Sequence, residues 1–541
     1  MDAPARGAEE KTIMKRRTLL AAALAAPNLF ATGLSAPSLA QAARVLRFVP
    51  YVDLPVLDPI ANTAAQVRNH AFLVFDTLYG LDADYVPRPQ MLAGHAVDAD
   101  GLTWTLTLRD SLRFHDGTPV LARDAVASIR RWASVDGFGA TLMAATSTLD
   151  VPDGRTLRFR LRRPFPLLPD ALGKMSPNVC AIMPERLAVL PATRPVPEIV
   201  GSGPFRLVEA ERVPGARIVY ERFAGYVPAE GAPGLTSGGK RAAVDRVEWL
   251  VMPEPATAAA ALQSGEVDWV EAPPPDLLPQ LRRNANLVVA TNDPTGVVPI
   301  LRFNSLLPPF DNADIRRAVL SAVVQAEFMA AFSDDAANDR TGVGIFCPGT
   351  PMASAAGLDR TVGTATITDA RRAIEAAGYK GERVVLLEPT DHPVNSVMAQ
   401  VGADLFQKLG LHVDGQSMDA GTMFQRRANR EDLDRGGWSC FPSAVAGIDV
   451  LNPAVSFLAR GNGRDAWYGW PNDPALEALR LSWFDAPGRA SQAAVAEKMQ
   501  RQVLAEAPYL PLGQILQPTV YRKELQGILP GFAKFWSVRK G

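Results

Sequence analysis

Five histidines, His70, His95, His115, His392 and His412, are the first residues to test for chemistry, because imidazole both ligates metals and moves protons. They are scattered along the chain, no two stand at i, i+4, and no CxxC or HExxH spacing accompanies them. His115 runs into Asp116-Gly117, which reads as a hydrogen-bonded turn and not as a ligand set. No metal and no other cofactor is therefore expected. The stretch Gly234-Leu-Thr-Ser-Gly-Gly239-Lys240-Arg241 comes close to a phosphate loop. It ends in Arg where magnesium needs a hydroxyl, and a Pro/Gly-rich run precedes it in place of a buried strand. It reads as a flexible surface loop. The mature chain has no Gly-x-Ser-x-Gly elbow. No residue is nominated as catalytic, and the chain reads as a non-enzyme.

Side chains suited to binding are concentrated in the last third. Trp438, Trp467, Tyr468, Trp470 and Trp483 are interleaved with Gly436-Gly437, Gly461-Asn-Gly463 and Gly469. Rings supply contact area and glycines let backbone approach a ligand, which suits a lined cleft. The same rings suit the core of a C-terminal lobe, and the sequence leaves both readings open.

The elements that must position these residues follow α/β grammar. A strand is expected over 45–51, a helix over 64–79 and alternating strands over 103–108 and 155–162. A helix spans about 122–133. Strand, helix and strand over 244–270 suggest a βαβ unit. Helices over 369–377 and 394–409 precede strands at 384–387 and 412–413. Strands at 509–512 and 518–521 lack local partners, as does a C-terminal strand that returns to a first lobe.

With 541 residues the chain is too long for one core. A formal charge of −1 gives no field that favours nucleic acid or an anionic membrane. Met14-Lys-Arg16-Arg17, a short apolar run and Ala40-Gln-Ala42 read as an export signal cleaved after residue 42, with the paired arginines pointing to the twin-arginine route. Translation starts at Met1 or at Met14. No cysteine lies near the cleavage site, so no lipid anchor is expected there. Cys180, Cys347 and Cys440 are read as buried free thiols, with a single bridge the alternative.

Four stretches in order carry a family resemblance. Leu112-Arg-Phe-His-Asp-Gly-Thr-Pro-Val-Leu-Ala-Arg-Asp-Ala-Val126, Gly201-Ser-Gly-Pro-Phe-Arg-Leu207, Leu262-Gln-Ser-Gly-Glu-Val-Asp268 and the span from Arg302-Phe-Asn to Val319 resemble family 5 extracytoplasmic solute-binding proteins. The resemblance implies an α/β, two-lobed periplasmic binding protein fold, type II-like, with an extra subdomain inserted in the first lobe and a ligand cleft at the hinge. It places the first lobe at 43–85, 200–293 and 508–541, the insertion at 86–199 and the second lobe at 294–507. The implied role is periplasmic capture of a peptide or peptide-like solute for an inner-membrane ABC permease with a cytoplasmic ATPase. A monomer and no nucleic acid partner are implied as well. The alternatives are a periplasmic hydrolase, or a non-transport sensor or chaperone, on the same scaffold.

In peptide-binding members a Gly-Trp pair lies in the cleft, and a following Asp pairs with the peptide's α-ammonium. Gly437-Trp438 matches, with Ser439 and Cys440 after it, but Phe441 occupies the acid's position. Either Asp449 takes the role after a loop shift, or the ligand lacks a free α-amine. Tyr51, Asn62, Thr63, Phe138 and Gln514 fall near cleft positions of relatives, and Trp467 and Trp470 complete the expected binding set.

Overall fold

A computed structural model describes residues 44–332 and 335–541; the export signal expected over 1–42 lies outside them. Among the described residues two mixed sheets of seven strands and a four-stranded antiparallel sheet dominate. The first sheet grows around Val45–Val49, in which Leu46 and Phe48 are wholly buried. This strand lies between two parallel neighbours, Arg246–Leu250 and Trp269–Val270. Phe48 meets Trp269 and Phe535 edge-on at 5.1 and 5.0 Å, so a residue near the C-terminus closes the core that the first strand opens. Thr519–Arg522 returns to this sheet and pairs antiparallel with Trp269–Val270 and Leu287–Ala290.

The second sheet is built on Val297–Phe303, which runs antiparallel to Cys440–Ala446 with Arg302 opposite Phe441. Tyr509–Pro511 and Gln514–Ile515 also pair with Val297–Phe303. The stretch expected to resume the first lobe at 508 therefore pairs with the second sheet before Thr519. Leu510, Leu512 and Ile515 are buried in the second lobe's core, which holds the chain there until it leaves for Thr519.

Leu92–Val97, Thr103–Leu108, Thr156–Leu161 and Thr146–Asp150 form the smaller sheet. Trp104, Leu106 and Leu108 face inward, as the alternation of Thr103–Leu108 requires. A buried ion pair, Arg131 to Asp58 at 2.7 Å, ties this layer to the first lobe.

The helix expected over 64–79 stops at Val74. Gly203 N–H donates to the Val74 carbonyl at 2.8 Å, and a Cβ on Gly201 would lie 2.1 Å from the same oxygen. The Gly201-Ser-Gly-Pro204 turn can therefore press on the helix end only because it lacks side chains there. His115 N–H donates in turn to Gly201 O at 2.9 Å. Burial lowers the His115 ring to a pKa of about 4, so it works as a neutral hydrogen-bonding scaffold.

The stretch 234–241 is not a flexible surface loop. Thr236 and Lys240 are wholly buried, and Lys240 Nζ lies 2.7 Å from the Asp76 carboxylate. The ammonium also faces the rings of Phe72 and Trp536 at 5.6 and 5.2 Å. Thr236 Oγ1 accepts the Leu81 N–H at 2.8 Å, which pulls the segment inward. Its lysine is committed to a carboxylate and not to phosphate. The three cysteines are buried and free. No helix among the described residues is long and apolar enough to cross a membrane.

Candidate functional site

The chain passes from the first sheet to the second over 291–296 and returns over 516–518. The two passages lie side by side. Gly296 has a φ of +48°, and a Cβ there would lie 2.3 Å from Ile515 O. Gln514 Nε2 donates to Thr295 O at 2.8 Å, and Gly447 N–H donates to Gly296 O at 2.9 Å. These bonds bring the end of the strand Cys440–Ala446, and the short turn Gly447–Val450 after it, to the passage between lobes.

Charged groups from both lobes converge here. The helix Ala65–Val74 buries Gln66, Arg68, Asn69 and His70 as well as its apolar face. Arg68 is 5% exposed and lies over the Phe532 ring at 4.6 Å. Its Nε and Nη2 donate to Asn69 Oδ1 at 3.2 and 3.1 Å, whereas its buried Nη1 has no partner. Burial lowers the guanidinium pKa, and Asp449, Asp293 and Glu271 oppose that shift.

Glu271 follows Trp269–Val270 and accepts from Tyr51 N–H at 2.8 Å and Asn69 Nδ2 at 3.1 Å. Asp293, in the passage itself, accepts from Thr295 N–H and Oγ1 at 2.9 and 2.6 Å. Asp449 comes from the second lobe, and its buried Oδ1 has no partner. Burial pushes the Asp449 carboxyl up to about 7, with Arg68 and Lys174 pulling the other way. Lys174 is itself paired with Asp136.

The aromatic residues expected in the cleft form a separate cluster within the second lobe. Trp438, Phe441 and Trp470 are buried, with Trp438 4.8 Å from Phe441 and 5.7 Å from Trp470. Trp467 is half-buried, 5.5 Å from Phe441. Ser439 and Cys440 are wholly buried. The Ser439 hydroxyl accepts the Val385 N–H at 3.1 Å, which stitches neighbouring strands together. The strand Cys440–Ala446 separates Trp438 from Asp449 along the chain, so Asp449 lies beyond its far end. Register is the reason: the ladder to Val297–Phe303 is continuous from Cys440 to Ala446.

The other expected positions divide in two. Tyr51 reaches the seam, its ring 6.5 Å from His392 of the second lobe. Phe138 is buried in the inserted layer and lies 5.9 Å from Phe484 of the second lobe. With Tyr85, Lys174, Asn452 and Trp483 it lines a narrow cavity of about 70 Å³ between the layers. Asn62 and Thr63 are exposed ahead of the helix, and Asn62 Oδ1 accepts the Ala64 N–H at 2.7 Å. A wider hollow of about 610 Å³ lies on the inserted layer around Arg123, Arg130 and Pro191 and shares no residue with the seam. Among the described residues no group of three or more His, Cys, Asp or Glu could hold a metal.

Arg68, Glu271 and Asp293 were not singled out from sequence. One signal for Arg68 was available in the polar run Gln66-Val-Arg-Asn-His70, inside a helix whose apolar spacing demanded burial. Glu271 stands at the carboxyl end of a strand parallel to Val45–Val49, where open α/β sheets hold their ligands.

Known proteins align with this arrangement. A family model, bacterial extracellular solute-binding proteins, family 5 middle, matches residues 86–456. A probable peptide ABC transporter periplasmic-binding protein, y4tO of Sinorhizobium fredii, is 36% identical over 97% of this chain and 99% of its own length. The glutathione-binding protein GsiB of Salmonella typhi is 26% identical over 70% of each chain. Among solved structures, the binding protein AgaA of A. tumefaciens R10 with agropinic acid superposes at a TM-score of 0.76, covering 92% of this chain and 99% of that one at 19% identity. Helicobacter pylori DppA with peptide STSA gives 0.75 over 92% and 98% at 18% identity. These likenesses show a shared two-lobed fold.

Proposed function

Because the chain belongs to family 5 of the bacterial extracellular solute-binding proteins, we propose that it is the periplasmic capture component of an ABC importer. It takes up a peptide or peptide-like solute and hands it to an inner-membrane permease driven by a cytoplasmic ATPase. The observation that carries this reading is the paired passage over 291–296 and 516–518, with charged groups of both lobes brought to the seam beside it. Two lobes on adjacent connectors can rock apart and close on a solute as rigid bodies.

In this reading Tyr51, Phe138, Asp449 and Gln514 surround the solute. Trp438, Ser439, Cys440, Phe441, Trp467 and Trp470 shape the second-lobe wall, and Asn62 and Thr63 form a rim. Twin-arginine export of the folded chain, release without a lipid anchor and action as a monomer belong to the same reading. Capture without turnover is proposed because the matching family is one of solute-binding proteins.

Native mass spectrometry of the mature protein, purified without denaturant from its own periplasm, tests the reading. A bound peptide or peptide-like mass is expected. Hydrolysis of an offered peptide would overturn capture as the function.

A further inference from the structure

We infer that Arg68 is the first lobe's receptor for a carboxylate, and that with Asp449 of the second lobe it selects a solute bearing both a carboxylate and a cationic nitrogen. This inference rests on the capture reading and names the chemistry of its ligand.

Several charged groups near Arg68 already have partners within the fold. Glu271 is engaged by Tyr51 and Asn69, and Asp293 by Thr295. Lys174 is paired with Asp136. Arg68 gives two of its nitrogens to a neutral amide, Asn69, and none in a hydrogen bond to a carboxylate. What remains at the seam is one buried donor of positive charge, Arg68 Nη1, and one buried acceptor of negative charge, Asp449 Oδ1. The two groups feel each other's field without closing an ion pair.

A buried charge without a hydrogen-bonded counter-charge is costly, and so a solute that supplies both counter-charges gains at both ends. The guanidinium sits over the Phe532 ring with Nη1 unpartnered, and the planar fork of a carboxylate is the group that a guanidinium matches. Glu271, Asp293 and Asp449 act on Arg68, and the buried Lys534, held by the Leu235 and Pro530 carbonyls, adds a second cation beside it. The partnerless oxygen of Asp449 is what favours a solute that carries positive charge as well as a carboxylate. Because Arg68 belongs to one lobe and Asp449 to the other, such a solute also bridges the lobes when they close.

The test identifies the small molecule released on denaturing the wild-type protein from its own periplasm. It then measures by calorimetry the binding of that molecule, and of its carboxyl-amidated form, to wild type, Arg68→Lys, Arg68→Gln and Asp449→Asn. The released molecule is expected to carry a carboxylate and a basic nitrogen. Amidation should weaken wild-type binding about tenfold or more, and Arg68→Gln should bind both forms equally weakly. Arg68→Lys keeps the charge without the fork and should fall between, which separates recognition from misfolding. A released molecule lacking a carboxylate, or an amidation penalty that survives in Arg68→Gln, overturns the assignment and leaves the capture reading standing. A wild-type protein that releases nothing, and binds neither a mixed tripeptide pool nor its C-terminal amides, overturns both.

Discussion

Arg302 and Arg68 are both buried arginines whose terminal nitrogens include ones without a partner, yet their settings are opposite. Arg302 is wholly buried within one lobe, with its guanidinium 5.5 Å from the Trp467 ring and 5.8 Å from Tyr509. Its Nε donates to Tyr468 O at 2.7 Å, and burial lowers its pKa to about 10. Phe441 stands across the ladder from it, so a ring fills the position where peptide-binding relatives are expected to carry an acid. Aromatic faces and one carbonyl are what hold this cation. Arg68 lies at the seam of two lobes, and three acids act on it. The contrast separates a cation enclosed by one rigid core from a cation whose counter-charge can arrive with a ligand.

The largest expected effect comes from a third cation, Lys240, whose charge is fully matched inside the fold. Lys240→Met leaves Asp76 buried and unpaired and should cost about 3–5 kcal/mol in urea unfolding at neutral pH. A loss under about 1 kcal/mol would show that burial alone, without the pair, accounts for the segment. Next is Arg302. Truncation to Ala leaves a void among rings and should cost about 2–4 kcal/mol. Arg302→Met should recover most of that, because an apolar side chain of similar volume replaces a buried charge at little cost. Both variants should retain solute binding. A wild-type melting temperature with lost binding would instead place Arg302 in recognition and erase the contrast with Arg68.

Local patterns announced the scaffold well. The strand expected over 45–51 forms and ends at Val49, Ala122–Ala133 is the helix expected of it, and the C-terminal strand Thr519–Arg522 does return to the first sheet. Each follows from spacing or from a missing local partner, and such signals survive in a single chain. The end of the helix at Val74 was hidden, because the Gly201-Ser-Gly-Pro204 turn that stops it lies far along the sequence. Lys240 misled for the same reason: glycines around it suggested exposure, while its partner Asp76 lies 164 residues away. The site was least legible of all. Arg68, Glu271, Asp293 and Asp449 come from four separate segments, and only the fold brings their charges together. Asp449 was visible as the next acid after Phe441, but its place beyond the strand's far end depends on the ladder register.

The smallest effect belongs to Asp449 and turns on pH. Its carboxyl titrates near 7 in the folded protein against 3.8 when unperturbed, burial being the larger cause. Below about pH 4 both folded and unfolded states hold the proton, and the residue contributes no difference. As pH rises the unfolded state loses its proton first, so the ligand-free protein loses stability until the folded pKa is passed. Asp449→Asn removes that loss. The two proteins should therefore unfold alike at low pH and diverge by about 1–2 kcal/mol toward neutrality, with the mutant the more stable, after allowance for screening of a half-buried group. A cationic solute reverses the balance, because the ionised carboxylate then has its partner. Binding near pH 6 should release a proton, seen as a dependence of calorimetric heat on buffer ionisation enthalpy, and affinity should fall on acidification. Proton release that persists in Asp449→Asn would assign the titrating group elsewhere at the seam. Its absence from the wild type would mean that the cation of the solute does not reach Asp449, so that Arg68 acts without a partner on the second lobe.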